Sequence, residues 1–311
     1  MKAAQLVQYG GKEAVLVNDI PKPDVPSDKI LVEVRAAGVN PFDWKIRKGM
    51  FKDMIPLTLP VTLGGDFAGV VAQVGAGVSE FGVGDEVYGQ ANVLNGGTGS
   101  FAEFDLANPK ATALKPKNLS FALAAVLPLA GVSAMQALFD HMNLSNGQKI
   151  LIHGGAGGIG SIAIQIAKHV GLYVATTVRA NDMEYVKGLR ADLVIDYKSQ
   201  KFEDVVKDYN CVFDTVGGNT YNRSFAVLKK GGVIVSMLEQ PDEELMEKFG
   251  AQALYQGTQV TTDRLQKLAE LVDGGAVNVH VENTFPLTQA GEALSYLEET
   301  PPKGKIVIKI H

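Results

Sequence analysis

Lys149-Ile150-Leu151-Ile152-His153-Gly154-Gly155-Ala156-Gly157-Gly158-Ile159-Gly160 is the stretch that decides the fold. An apolar run of strand length passes straight into a glycine cluster. Apolar residues then recur at Ile159, Ile162, Ala163, Ile166 and Ala167, the spacing of one helix face, and Gly171 stands where a helix C-cap belongs. Gly155, Gly157 and Gly160 satisfy G-x-G-x-x-G. The pattern alone is weak in a chain with 34 glycines, but between a strand and a helix it is specific.

Working outward, the chain after about residue 120 alternates short apolar runs with longer helical patterns, the form of repeated βαβ units. Strands are expected near 149–154, 172–177, 192–196, 210–215, 231–237 and 253–259, and six parallel strands suggest the doubly wound order 3-2-1-4-5-6. Before residue 120 the style differs. Ile30-Leu31-Val32-Glu33-Val34-Arg35, Phe67-Ala68-Gly69-Val70-Val71-Ala72-Gln73-Val74 and Asp85-Glu86-Val87-Tyr88 are β-like runs broken by glycine turns, which predicts an antiparallel, barrel-like domain. The tail returns to this style, with a helix over 290–299 and the strand Lys305-Ile306-Val307-Ile308-Lys309-Ile310. The expected division is 1–120 with 263–311 as the barrel domain and 121–262 as an α/β Rossmann domain. A 311-residue chain that is 46% apolar can fill two such cores.

A glycine turn at a helix N-terminus binds phosphate, because the first-turn amides are unpaired and the helix dipole favours anions. In a dinucleotide site one glycine makes the sharp turn, one lets pyrophosphate approach bare backbone and one lets helix and strand pack closely. Gly155, Gly157, Gly158, Ile159 and Gly160 are therefore expected at the cofactor. An NAD site places a carboxylate on the ribose 2′-hydroxyl at the end of the second strand; this chain has Thr177-Val178-Arg179 there. Arg179 suits a 2′-phosphate, so NADPH is expected, with Thr177 beside it. Asp182, slightly later, leaves a ribose-binding alternative open.

The net charge of −5 gives no electrostatic footprint for nucleic acid. Cys211 is the single cysteine, so neither an intrachain disulfide nor a cysteine-rich metal site is expected. Residues 1–10 lack the apolar core of a secretory signal, and a cytoplasmic location is predicted. Residues 121–139 carry no charge, but Pro128, Gly131, Ser133 and Gln136 interrupt them; a buried segment rather than a membrane span is expected.

The motifs Ala37-Gly38-Val39-Asn40-Pro41-Phe42-Asp43, Gly64-Gly65-Asp66-Phe67-Ala68-Gly69-Val70-Val71, Gly82-Val83-Gly84-Asp85-Glu86-Val87, Asp214-Thr215-Val216-Gly217-Gly218 and Gly304-Lys305-Ile306-Val307 stand around the glycine turn. In this order and spacing the whole chain resembles the medium-chain dehydrogenase/reductases, specifically the zinc-free quinone oxidoreductase, ζ-crystallin and enone reductase branch. The resemblance implies a GroES-like barrel beside the Rossmann domain, an active site in the cleft between them, and reduction of a quinone or an activated double bond. It also implies that Asn40 and Asp66 stand where zinc-containing members carry metal ligands, so no metal is expected.

On the same grounds Lys45 and Asn40 are candidate catalytic residues, with Asp43 holding their segment; a positioned cation or donor stabilises the negative charge that builds on an enone's oxygen. Tyr197 is implied at the adenosine end, Ser133 and Val216 on the nicotinamide side. Ser236 and Leu238 lie at the carboxyl end of the fifth strand, where doubly wound sheets bind ligands. The sixth strand is an edge through which a homodimer is plausible. An enoyl-thioester reductase and a non-catalytic, NADPH-binding ζ-crystallin-like protein remain alternatives.

Overall fold

The strand Ile30–Val39 is buried along nearly its whole length, as a strand paired on both edges inside its sheet is. The structure, a computed structural model, describes residues 1–94 and 96–311. It divides into two units, Met1–Leu129 with Val260–Gly274 and Val279–His311, and Ala130–Gln259 with Gly275–Asn278.

In the first unit the early strands are β1 (Lys2–Leu6), β2 (Val15–Asp19), β3 (Ile30–Val39), β4 (Val61–Thr62), β5 (Asp66–Val74), β6 (Glu86–Gln90), β7 (Phe104–Ala107) and β8 (Thr112–Leu114). β1 pairs with β2 and β4. β3, β5, β6 and β8 form successive antiparallel pairs, with β7 also on β3. Ile30, Val32, Val34, Phe67, Val71 and Val87 fill the core beneath. β3 runs past the expected run 30–35 to Val39, where Asn40 caps the helix Pro41–Arg47.

The second unit holds β9 (Lys149–His153), β10 (Tyr173–Val178), β11 (Leu193–Asp196), β12 (Tyr209–Asp214), β13 (Leu228–Ser236) and β14 (Gln252–Tyr255). All pair in parallel, in the order β11-β10-β9-β12-β13-β14, the expected 3-2-1-4-5-6. Leu151, Ala175, Ile195, Val212 and Ile234 form part of its core. β14 stops at Tyr255 rather than 259, because Gln256 turns inward and its Nε2 donates to the Ser133 carbonyl at 2.9 Å.

The chain then adds β15 (Val281–Pro286) and β16 (Lys305–Lys309) to the first unit. β16 is antiparallel to β3, but β15 and β16 are parallel, so that sheet is not wholly antiparallel. The helix Ala290–Glu299 supplies the crossover that a parallel pair needs.

The unit boundary differs from the expected one. The helix Phe121–Ala125 belongs to the barrel unit and lies so close on β3 that a Cβ on Gly38 would stand 2.4 Å from the Ala125 carbonyl oxygen. Gly275–Asn278 belongs to the second unit. There the Gln165 amide brackets Asn278, accepting from its N–H at 2.8 Å and donating to its carbonyl at 2.9 Å. The uncharged residues 121–139 break into the helices Phe121–Ala125 and Pro128–Met135 and the π-helix Gln136–His141. Among the described residues no helix is long and apolar enough to cross a membrane.

Candidate functional site

β9 ends at His153, and Gly154 turns the chain with φ +72°. Gly155 is demanded by packing: a Cβ there would stand 2.0 Å from Thr176 Oγ1. Gly160 is demanded too, since its Cβ would stand 2.3 Å from the Gly154 carbonyl oxygen. Gly157 is different. Its φ of −76° suits any residue, and a Cβ there would meet nothing nearer than the Gly154 oxygen at 3.4 Å. The protein's own packing gives no reason for a bare backbone at Gly157. A ligand does, because Gly157 caps the helix Gly158–His169, whose first-turn amides at Gly158, Ile159 and Gly160 are placed to meet an anion. The residues fit a dinucleotide pyrophosphate.

Register places the other expected contacts. Thr177 pairs with His153 and Val178 with Asp196, which puts Arg179 and Tyr197 just past the carboxyl ends of two neighbouring strands. Tyr197 is 47% exposed. Arg179 Nε donates to Asp182 at 3.0 Å, so the carboxylate left open as a ribose ligand also anchors Arg179. Val216 and Leu238 project at the carboxyl ends of β12 and β13, exposed by 50% and 45%.

Three expected contacts point inward. The Ser236 hydroxyl donates to Asp214 at 2.8 Å and accepts from the Leu238 and Glu239 amides, each at 3.1 Å. The Ser133 hydroxyl meets that of Thr258 at 2.7 Å. Thr177 Oγ1 lies 2.9 Å from Nδ1 of His153. Each of these hydroxyls is buried with a polar partner at hand.

His153 itself was not singled out by sequence, although an imidazole closing the apolar run 150–152 was the signal. Ser224 donates its only hydroxyl proton to the Thr220 carbonyl at 2.7 Å, so its oxygen accepts from His153 Nε2–H at 2.9 Å. Nδ1 then accepts from Thr177. Burial holds the ring neutral, its pKa pushed down to about 3.

In the barrel unit, register gathers a second group. Gly38 pairs with Asp66, Asp66 with Gln90, and Val39 with Ile306, so the ends of β3, β5, β6 and β16 meet. The Asn40 backbone N–H donates to Asp43 at 2.8 Å, part of a capping box that starts the site helix. Asn40 Nδ2 donates to Asp66 at 2.9 Å, and Lys305 Nζ donates to Asn40 Oδ1 and, at 3.0 Å, to the Val39 carbonyl. Gln90 Nε2 and the Leu129 amide also donate to Asp66, at 3.1 and 3.0 Å.

Burial pushes the Asp66 carboxyl up against the pull of Lys305 and pushes Lys305 down. It drives Asp43 up to about 7, with Asp66 adding to the rise. Lys45 lies two residues beyond Asp43, roughly 200° around the helix, half-buried, with its ammonium 5.8 Å from the Trp44 ring centre. The structure brings Asn40, Asp43 and Asp66 together and leaves Lys45 on another face. Lys305 is the member that sequence reading missed; its signal was a lysine opening an apolar strand.

Comparison with known proteins covers both units. Residues 26–117 match the family model described as "Alcohol dehydrogenase GroES-like domain", and residues 189–308 match "Zinc-binding dehydrogenase". The chain is 38% identical over 320 residues to a 2-methylene-furan-3-one reductase of Solanum lycopersicum, covering 99% of this chain and 79% of that protein. An NADPH-dependent alkenal/one oxidoreductase, chloroplastic, of Arabidopsis thaliana matches with the same identity and coverage. Among solved structures, Escherichia coli quinone oxidoreductase complexed with NADPH superimposes with a TM-score of 0.90 at 26% identity, covering 100% of both chains.

Two measurements check this geometry. Gly160→Ala should lower the urea unfolding free energy by about 1–3 kcal/mol through overpacking, whereas Gly157→Ala should leave it unchanged or raise it by up to about 1 kcal/mol; equal losses would contradict the packing described. For His153, the unfolded ring takes a proton near its ordinary 6.5 while the folded ring resists until about 3. The unfolded state binds the extra proton between these values, so this residue's contribution to stability is whole above pH 6.5 and is lost as pH falls. The stability difference between wild type and His153→Gln should therefore shrink from pH 7 to pH 5, by up to about 1.4 kcal/mol per unit; a difference independent of pH would refute it.

Proposed function

This chain belongs to the medium-chain dehydrogenase/reductase superfamily, and we propose that within it the protein is an NADPH-dependent oxidoreductase that reduces quinones or α,β-unsaturated carbonyls. The observation that carries the reading is the bare, unobstructed backbone of Gly157 at a helix N-terminus, with Arg179 and Tyr197 on the strand ends beside it. The relatives that share 38% of its residues, named for a furanone and for alkenals and enones, support the acceptor class.

NADPH supplies the hydride when bound. The protein's part is to bind, orient and stabilise. Gly157 and the amides of Gly158, Ile159 and Gly160 hold the pyrophosphate; Arg179, kept in place by Asp182, takes the 2′-phosphate; Tyr197 lies against adenosine. As an enone accepts hydride at its β-carbon, charge grows on its oxygen, and a fixed donor there stabilises it. Asn40 is that donor, through the Nδ2 proton not given to Asp66, and Lys45 is a second candidate cation.

Zinc independence is part of the proposal. The donors around Asn40 do not suit the ion, since Asn40 Oδ1 is taken by an ammonium and Asn40 Nδ2 is a donor. Among the described residues no group of three or more His, Cys, Asp and Glu could hold a metal. A reducing compartment such as the cytoplasm is part of the reading too, since a single cysteine, Cys211, can form no intrachain disulfide. A homodimer through β14 completes the reading, because this edge strand exposes Leu254 and Tyr255 by 38% and 47%.

Absorbance at 340 nm, followed with NADPH or NADH against quinones, enones, enoyl thioesters and ketones, tests the activity; turnover is expected with enones or quinones, and none with any acceptor would sink the reading. Arg179→Ala should weaken NADPH about tenfold or more and NADH little, and Gly157→Ala should weaken both without loss of stability. Sedimentation should give a dimer that Leu254→Asp splits into monomers; an unaltered sedimentation coefficient would discard the β14 interface.

A further inference from the structure

Lys305 is 5% exposed, and a buried ammonium is costly unless its charge is used or balanced. It meets Asn40 Oδ1, while Nδ2 of the same amide donates to Asp66, which is fully buried. The amide therefore sits in series between a cation and an anion. Its two ends are not interchangeable: an amide flip would set the NH2 group against the ammonium and the oxygen against the carboxylate. Among the described residues no acceptor takes the second Nδ2 proton, so Asn40 can offer a ligand a hydrogen bond only as a donor. An ammonium on the carbonyl and a carboxylate on one N–H hold the amide in a single orientation, and the ammonium draws electron density from the nitrogen, making the remaining N–H a stronger donor.

We propose that Lys305 is a positioning residue for the reaction: it locks and polarises the Asn40 amide so that the free N–H meets the substrate oxygen as negative charge develops there. This rests on the reductase reading above and names the group that makes Asn40 effective within it. Lys305 touches no reacting atom in this role. It acts from β16 through Asn40, and Asp66 closes the chain of hydrogen bonds on the far side.

The test is kinetic. Lys305→Met alone strands the Asp66 carboxylate, so the decisive variant is Asp66→Asn/Lys305→Met, which removes both charges and keeps an acceptor for Asn40 Nδ2. With an enone and NADPH, this variant should unfold near the wild-type temperature, keep KM for NADPH within about twofold, and lose about tenfold or more in kcat, a fraction of what losing a whole oxyanion donor costs. Adding Asn40→Ala to it should cost little beyond what Asn40→Ala costs alone, because the charges act through that amide. A kcat within twofold of wild type, or losses that multiply independently with Asn40→Ala, would overturn the inference while leaving the reductase reading intact. A wild-type enzyme inert toward every acceptor would remove both.

Discussion

Asp66 opens β5 with no exposure at all, and a carboxylate so buried costs several kilocalories per mole unless neighbours compensate it. The compensation organises the barrel unit. Asn40, Gln90 and the Leu129 amide donate to Asp66 directly, and Lys305 balances its charge from the far side of Asn40. Each donor comes from a different element, so the network closes only when β3, β6 and β16 stand in register with β5 and the chain at Leu129 has come back against them. Asp43 fixes the first turn of the helix that Asn40 caps, which aims the side-chain amide that Asp66 and Lys305 touch.

In the second unit the ruling constraint is steric. The turn between β9 and its helix brings Gly155 against Thr176 and Gly160 against the Gly154 carbonyl, too close for any side chain. His153, directly below, ties three elements: the strand it ends, β10 through Thr177, and the helix Asn219–Ser224 through Ser224. A neutral, fully hydrogen-bonded imidazole is rigid support, and it leaves the exposed side of the turn to Gly157 and the helix amides. Binding surface and supporting surface are thus separated within eight residues.

The same separation bears on how much of the candidate site could be read from the sequence. Arg179, Tyr197, Val216 and Leu238 lie at strand ends, and strand ends follow from hydrophobic runs, so register alone exposes them beside the turn. Thr177, Ser133 and Ser236 occupy equally suggestive positions, yet their hydroxyls turn inward. Whether a small polar side chain faces a ligand or the core depends on partners distant in sequence: Ser133 meets Thr258, 125 residues on. Lys45 shares the segment with Asn40, but two residues of helix set it on a different face from Asp43, which lies in the core.

By itself the sequence determined the class of both units, the order of the Rossmann strands and the phosphate-binding turn, because these rest on periodicity and on glycine's lack of a side chain, which are local properties. It also marked Asn40 and Asp66 as an unusual pair. Only the tertiary structure decided that the pair is hydrogen-bonded directly and met by Lys305, 265 residues from Asn40, that Phe121–Ala125 packs with the barrel, and that β15 runs parallel to β16. Those facts depend on which distant strands become neighbours, and no local pattern of burial or charge encodes the partner a buried ion will find.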